Sequence, residues 1–441
     1  MPLMPIESRY RTEMAAYFEE DAKLRSWLRV EVALARAHAQ LGHIPKAAVA
    51  EIETGAQKVR LDKVLEIEAT IHHDLMAMVR ALSDQCPKYG GYVHLGATSY
   101  DIEDTALALT LRDAAQLART RIISLRRVLK SLAIEKANMV CVGRTHGQHA
   151  VPTTYGMKFA LYYSALGRAK ARLDAAILRI SFGKMSGATG TMATFGPDAY
   201  KLQELVMADL GLSADPITSQ IISRDRHAEI ISVLAMTASS VEQIAQEIRN
   251  LQRTEIGEVA EPFSSKQVGS STMPQKRNPH KCERICSLAR VVRAQVAISL
   301  EDIPSEHERD LTNSAAERFM YPLSFCTLDY MMLEMTKVLS GLQFFPAAIE
   351  RNLALTQGGI MAERVMMALT QAGMSRQDAH EFMRNCSREA LTARRPLVEI
   401  LREKPEATRL LKGSELDVLF DPKTYIGQAP AIVQKAVADE P

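Results

Sequence analysis

The residues GSSTMPQKRNPH, 269–280, put two serine hydroxyls, a lysine, an arginine and an amide into one short span that opens on glycine. Gly269 gives backbone freedom ahead of Ser270 and Ser271, as suits a loop that closes over a ligand, and Pro274 and Pro279 stiffen the second half of the span. Lys276 and Arg277 add positive charge and Asn278 adds a neutral donor. A helix is expected to begin just after Pro279, directing its unsatisfied N–H groups and positive dipole end toward whatever the loop covers. Ser-Ser or Asn-Pro alone would be ordinary helix-cap sequence. The whole string is suited to holding a carboxylate or a phosphate.

Long helices are expected to carry this loop. Between Gly96 and Gly143 there is neither Gly nor Pro, and between Pro216 and Pro262 only Gly257 interrupts. A helix filling most of either segment exceeds ~50 Å. In the second, Ile230, Leu234, Thr237, Val241, Ile244, Ile248 and Leu251 alternate steps of four and three, the spacing of a seam packed lengthwise against other helices. After the loop, CERICSLARVVRAQVAISL places Ile285, Leu288, Ala289, Val292 and Val296 on one face and is closed by Pro304. Further long helices are expected from about Tyr155 to Ile180 and from about Ala315 to Leu339. The ends read as shorter helices punctuated by Gly42, Pro45, Pro87, Gly358, Gly373, Pro396 and Pro405. No alternation long enough to build a sheet is visible. The expectation is an all-α protein of three helical domains, 1–96, 97–345 and 346–441, the middle one a long-helix bundle that buries its apolar stripes by self-association into a multi-subunit helical core.

Composition narrows the function classes. The 441 residues carry 54 basic and 52 acidic side chains, a formal charge of +2, so no global field draws the chain to nucleic acid or to an anionic membrane. No run approaches the ~18 apolar residues of a membrane span, and MPLMPIESRYRTEM lacks the apolar core of a signal peptide. Six cysteines without framework spacing point to reduced thiols and a cytoplasmic, unprocessed protein. Cys282 and Cys286, near His280, read as helix-face residues rather than ligands, because tetrahedral zinc wants four such groups close by. Neither a metal nor a cofactor is expected. The glycines of GKMSGATGTMATFG, 183–196, lack the Lys-Ser/Thr of a phosphate loop and read as a tight turn bordering the site.

The string GSSTMPQKRNP resembles the signature loop of the fumarase/aspartase superfamily, lyases that eliminate fumarate from succinyl-substituted amines or alcohols. GYVHLGATSYDIEDTAL at 91–107 and GRTHGQHAVPTTYGMK at 143–158 resemble the other two shared blocks. Within the superfamily the chain is most similar to the adenylosuccinate lyase family. The matching stretches are ESRY near the start, IHHDLMAM at 71–78, SQIISRDRHAEI at 219–230 and EHERDLTNSAAERFMYP at 306–322. The resemblance implies β-elimination of fumarate from adenylosuccinate to give AMP, and from the succinylcarboxamide ribotide SAICAR to give AICAR, in purine biosynthesis. It also implies a homotetramer whose active sites draw the three blocks from three different subunits.

The same resemblance assigns roles. Ser270 is the general base, His146 the general acid, Glu283 the carboxylate that orients it, and Lys276 and Asn278 the groups that stabilise the carbanionic intermediate. His73, Asp74, His94, Thr98, Ser99, Thr145, Gln220, Ser271 and Met273 are expected to bind substrate. Arg9, Tyr10, Arg309, Ser314 and Arg318 are expected to hold the nucleotide phosphate, a task planar guanidinium groups suit. His72 and His149 are expected to be structural. Gln275, Asn313 and Ala315 depart from the adenylosuccinate lyase pattern and bear on the fit around the nucleotide. The rival readings are an argininosuccinate lyase, a carboxymuconate cycloisomerase and a non-catalytic relative. Intact Ser270, Lys276, His146 and Glu283 argue against the last, and the THGQH string argues against the second.

Overall fold

The computed structural model describes residues 4–263 and 272–439, so the expectations on Ser270 and Ser271 lie outside the described residues. The long helices run where glycine and proline are scarce: Ser99–Glu135, Tyr155–Ile180, Asp225–Leu251, His280–Glu301 and Ser314–Ser340. Every residue of the Ile230–Leu251 seam is buried, Thr237 included, its hydroxyl turned back onto the Val233 carbonyl at 2.8 Å. A polar side chain in an apolar seam costs little when its hydrogen bond is satisfied within the same helix. Ile285, Leu288, Ala289 and Val292 are likewise buried on one face of the next helix, while Val296 is only half-buried.

The chain divides into two compact units. One comprises residues 1–122, 169–239 and 287–333, and the other 123–168, 240–286 and 334–441. In the first, the Glu20–Gln40 helix packs with the shorter helices Lys46–Lys58, Asp74–Asp84 and Ala199–Leu210 around Leu24, Leu34, Ile52, Leu82, Leu109 and Leu202. In the second, the C-terminal helices close on Val365, Leu369, Met383, Leu397 and Ile400.

Alongside the helices is an antiparallel hairpin, Val140–Thr145 with Gln148–Thr154, which sequence reading did not single out. Its register runs from Val140 opposite Thr154 to Thr145 opposite Gln148, with an irregularity between Val142 and Arg144. Gly143 sits there, and a Cβ on it would stand 2.7 Å from the Val151 carbonyl oxygen. The alternation is obscured in the sequence because Gly143 and Pro152 interrupt it, yet Val and Thr favour the pleated surface. The two-residue turn, His146 at φ 54° and Gly147 at φ 75°, has both residues in the left-handed region that matches the strand twist. Two further pairings, Phe182–Gly183 with Ser213–Ala214 and Val259–Ala260 with Gln343–Phe344, are two residues long.

Candidate active site

In the first unit, the N-terminus of the Ser99–Glu135 helix is organised by Asp101. Its carboxylate accepts from the Thr98 N–H at 2.9 Å, the Ser186 N–H at 2.9 Å and the buried Lys184 ammonium at 2.5 Å. Asp101 and Lys184 side chains are both fully buried, a pairing that holds only because each charge has a partner. The glycine-rich stretch at 183–196 is thereby fastened to the start of the helix, as a turn beside the site. Gly190 is required where it stands, since a Cβ would lie 2.0 Å from the Thr218 carbonyl oxygen. The hydroxyls of Thr98 and Ser99 have no partner among the described residues.

His94, at φ 61°, presents Nδ1 to the buried Glu31 at 2.7 Å, and its own N–H donates to the same carboxylate at 3.1 Å. Burial pulls this imidazole toward the neutral form, but the hydrogen bond and charge of Glu31, with Asp101, outweigh it and raise its pKa. His73 caps the Asp74–Asp84 helix through Nδ1, and Asp74 pairs with Arg318 at 3.0 Å. His72 closes the preceding helix in the left-handed conformation.

Of the residues expected to hold a nucleotide phosphate, Arg309, Ser314 and Arg318 lie near Tyr100. Arg309 lies with its guanidinium carbon 3.3 Å from the Tyr100 ring centroid and donates to Gln220 Oε1 at 3.0 Å. Arg309 Nη2 is buried without a partner, an orphan donor of the kind a bound anion would satisfy. The Tyr100 hydroxyl approaches Ser314 Oγ at 3.5 Å, and Gln220 donates to the Ala188 carbonyl at 3.1 Å. Tyr10 packs against Tyr330 with ring centroids 5.0 Å apart, and Arg9 is exposed.

Behind these groups is a network that sequence reading did not single out. Arg224, fully buried, forms two bonds with Asp104 at 2.9 and 3.0 Å and two with Glu317 at 2.7 and 3.4 Å. Asn313, one of the departures from the family pattern, donates to the same Glu317 at 3.0 Å. His227 meets the Tyr321 hydroxyl at 2.6 Å, and burial, with Arg224, pushes its imidazole down to about 3, so it is neutral. The network's members lie in three separate stretches of the sequence, so no single run such as SRDRH announces their pairing.

In the second unit, His146 stands at the exposed tip of the hairpin with Thr145 beside it. The strand below is held by the buried Glu258, which accepts from Arg144 at 2.5 Å, from Tyr155 and from Asn352 at 2.8 Å. Burial raises the Tyr155 hydroxyl well above its ordinary range, with the Glu258 charge adding to it, so the tyrosine stays protonated and donates. His146 makes no hydrogen bond with Glu283 or with any other described residue. His149 lies on the second strand opposite Arg144 with Nδ1 buried and unpartnered, and burial lowers its pKa.

Lys276, Asn278 and Glu283 line one polar recess of about 660 Å³ together with Gln275, Arg249 and Arg253. Met273 is exposed, and its carbonyl accepts from the Lys276 N–H at 3.1 Å. The Lys276 ammonium has no partner among the described residues. The expectation that the helix after Pro279 offers a free N-terminus to a ligand is corrected. Glu261, 4% exposed, accepts from the Lys281 and Cys282 N–H groups at 3.2 and 2.6 Å, and Glu283 N–H bonds to the Pro279 carbonyl. A carboxylate from the chain itself therefore satisfies that dipole. Cys282 is buried, and its thiol is raised above its ordinary range by burial and by Glu261.

Comparison with known proteins finds relatives along the whole chain. The family model described as lyase matches residues 6–294, and the adenylosuccinate lyase C-terminus matches residues 358–436. The chain is 51% identical to the adenylosuccinate lyase of Pyrococcus abyssi, over 99% of this chain and 98% of that one. It is 50% identical to that of Pyrococcus horikoshii with the same coverage. Among solved structures it is similar to the 3-carboxy-cis,cis-muconate lactonizing enzyme of Pseudomonas putida, with a TM-score of 0.90, 34% identity and coverage of 99% and 98%. The C-terminal match and the full-length identities agree on one branch of the superfamily: the chain belongs to the adenylosuccinate lyase family.

Proposed function

We infer that the chain is a C–N lyase that eliminates fumarate from adenylosuccinate to leave AMP, and from SAICAR to leave AICAR. The observation that carries this reading is the identity of half the residues along the whole chain to adenylosuccinate lyases. The grouping of Lys276, Asn278 and Glu283 in one recess supports it. The resemblance to the muconate lactonizing enzyme is the specific ground for a second reading, a cycloisomerase on a carboxymuconate, which lower identity and the C-terminal match both disfavour.

The elimination needs a base at the carbon next to a carboxylate, an acid at the departing nitrogen, and cover for the charge between them. Ser270 takes the proton from carbon, the C–N bond breaks, and His146 delivers a proton to the purine amino nitrogen as fumarate leaves. Lys276 and Asn278 stabilise the doubly charged carboxylate of the intermediate, in a site where closing the loop excludes water and strengthens each contact. Glu283 orients His146. Thr98, Ser99, Thr145, Gln220, Ser271, Met273, His73, Asp74 and His94 position the succinyl and purine parts. Arg9, Tyr10, Arg309, Ser314 and Arg318 hold the phosphate.

His146 has no hydrogen-bond partner among the described residues, which fits an active site completed by other protomers of a homotetramer. The three-part division at 96 and 345 and a cytoplasmic location belong to the same reading. None of the helices, among the described residues, is long and apolar enough to cross a membrane.

The test is direct. Purified protein given adenylosuccinate should show the ultraviolet change of conversion to AMP plus fumarate, and Ser270→Ala should nearly abolish it. Turnover of a carboxymuconate in place of adenylosuccinate would favour the second reading.

A further inference from the structure

Beside Ser314 and Arg318, in the first unit, is a cavity of about 170 Å³ whose walls include Tyr17, Trp27, Tyr100 and Glu103. Glu103 lies one turn into the Ser99–Glu135 helix. Its carboxyl has neither a hydrogen bond nor an ion pair among the described residues, although Arg318 and Ser314 line the same cavity. An unpaired carboxylate in such a place is costly, and the environment resolves the cost by favouring the protonated form. Burial, then the negative charges of Asp74 and Asp104, push Glu103 up to about 8, against the opposing pull of Arg309 and Arg318. The cations are largely committed elsewhere: Arg318 to Asp74, Arg224 to Asp104 and Glu317.

The charged groups around it come from every neighbouring element. Asp104 is on its own helix, Asp74 on the Asp74–Asp84 helix, and Glu317 and Arg318 on the Ser314–Ser340 helix. Glu20 and Lys23 are on the Glu20–Gln40 helix, Tyr17 precedes it, and Arg309 and Arg224 complete the set.

We propose that Glu103 is a specificity-determining residue that acts as a neutral acid: it donates a hydrogen bond to the nucleotide phosphate held by Ser314 and Arg318, and its ionised form repels that phosphate. The inference rests on the phosphate role argued above for those two residues. A neutral carboxylic acid can donate to an acceptor-only phosphate oxygen, which a carboxylate cannot. The bound phosphate adds negative charge nearby and so strengthens retention of the proton. Binding of AMP is therefore coupled to proton uptake at pH values where free Glu103 has begun to ionise.

The experiment is AMP affinity by calorimetry from about pH 7 to about pH 9, a range in which the phosphate's own second ionisation is already complete. With the carboxyl titrating near 8, affinity in the unaltered protein should fall by about tenfold across that range. Near pH 8 the binding heat should depend on the buffer's ionisation heat in the sense of proton uptake. Glu103→Gln, locked in a neutral hydrogen-bonding form, should show a flat profile and no proton uptake. An unaltered slope in Glu103→Gln overturns the inference while leaving the phosphate reading intact, provided Arg318→Ala weakens AMP binding at every pH. Undiminished AMP binding in Arg318→Ala removes the phosphate reading and this inference with it.

Discussion

Charge is handled in opposite ways in two regions, one in each unit. Around residues 101, 104, 184, 224 and 313–317, lysine, arginine and carboxylates are buried, paired and hydrogen-bonded to one another, so the segments bearing Thr98, Gln220 and Ser314 are fixed by the chain's own contacts. Around residues 145–148 and 275–277, the side chains are exposed, and His146 and Lys276 have no partners among the described residues. Groups that bind a large substrate gain from being held in place beforehand, because ordering them on binding would cost affinity. Groups proposed to move protons and carry transient charge are left uncommitted, because a permanent partner would compete with the reacting atoms.

Three substitutions would break or sharpen this contrast. The largest expected effect is on activity: His146→Ala should lower turnover of adenylosuccinate by roughly 10² to 10⁴-fold with the melting temperature unchanged. Mixing it with an equally inactive Ser270→Ala protein should restore part of the activity if sites are shared between protomers. A His146→Ala variant that melts early would place the hairpin tip with the structural region instead. Next is Arg224→Ala, which strands Asp104 and Glu317 in the interior and should cost about 3–5 kcal/mol in denaturant unfolding. A loss below about 1 kcal/mol would mean that water reaches those carboxylates.

The smallest effect concerns Asp302, whose Oδ2 is buried without a partner and whose carboxyl is pushed up to about 6 by burial and by Glu317. Below its ordinary value of 3.8 both folded and unfolded chains hold the proton. Between that value and about 6 only the folded chain still does, so stability falls as pH rises through this window and stays reduced above it. Asp302→Asn should therefore stabilise the protein by roughly 1 kcal/mol near neutrality, with no gain below about pH 4. A gain that persists in acid would assign the effect to packing rather than to charge.

Much of the helical frame was legible from the spacing of glycine and proline. The Tyr155–Ile180 helix has the bounds read from the sequence, and the Ser314–Ser340 helix extends one residue beyond them at each end. Such helices are specified by local periodicity. The family was legible too, because three blocks shared across the superfamily and four further stretches carry it. What escaped was decided by residues far apart. The cap on the His280–Glu301 helix comes from Glu261, upstream of the signature loop, and Arg224 meets partners 93 and 120 positions away. Asn313 was read only as a departure from the family pattern, and its bond to Glu317 was not anticipated. The hairpin was hidden for a different reason, since Gly143 and Pro152 break the alternation while serving a bulge and a sheet edge.

The tip of that hairpin has a further consequence for substitution. At φ 54° position 146 admits glycine, asparagine, aspartate or histidine with least strain, and penalises β-branched side chains. The proposed acid role admits a different set, those that can release a proton near neutrality. Histidine lies where the two sets overlap, so a chain that drifted to asparagine here would keep its turn and fall silent, a loss invisible to any measurement of folding.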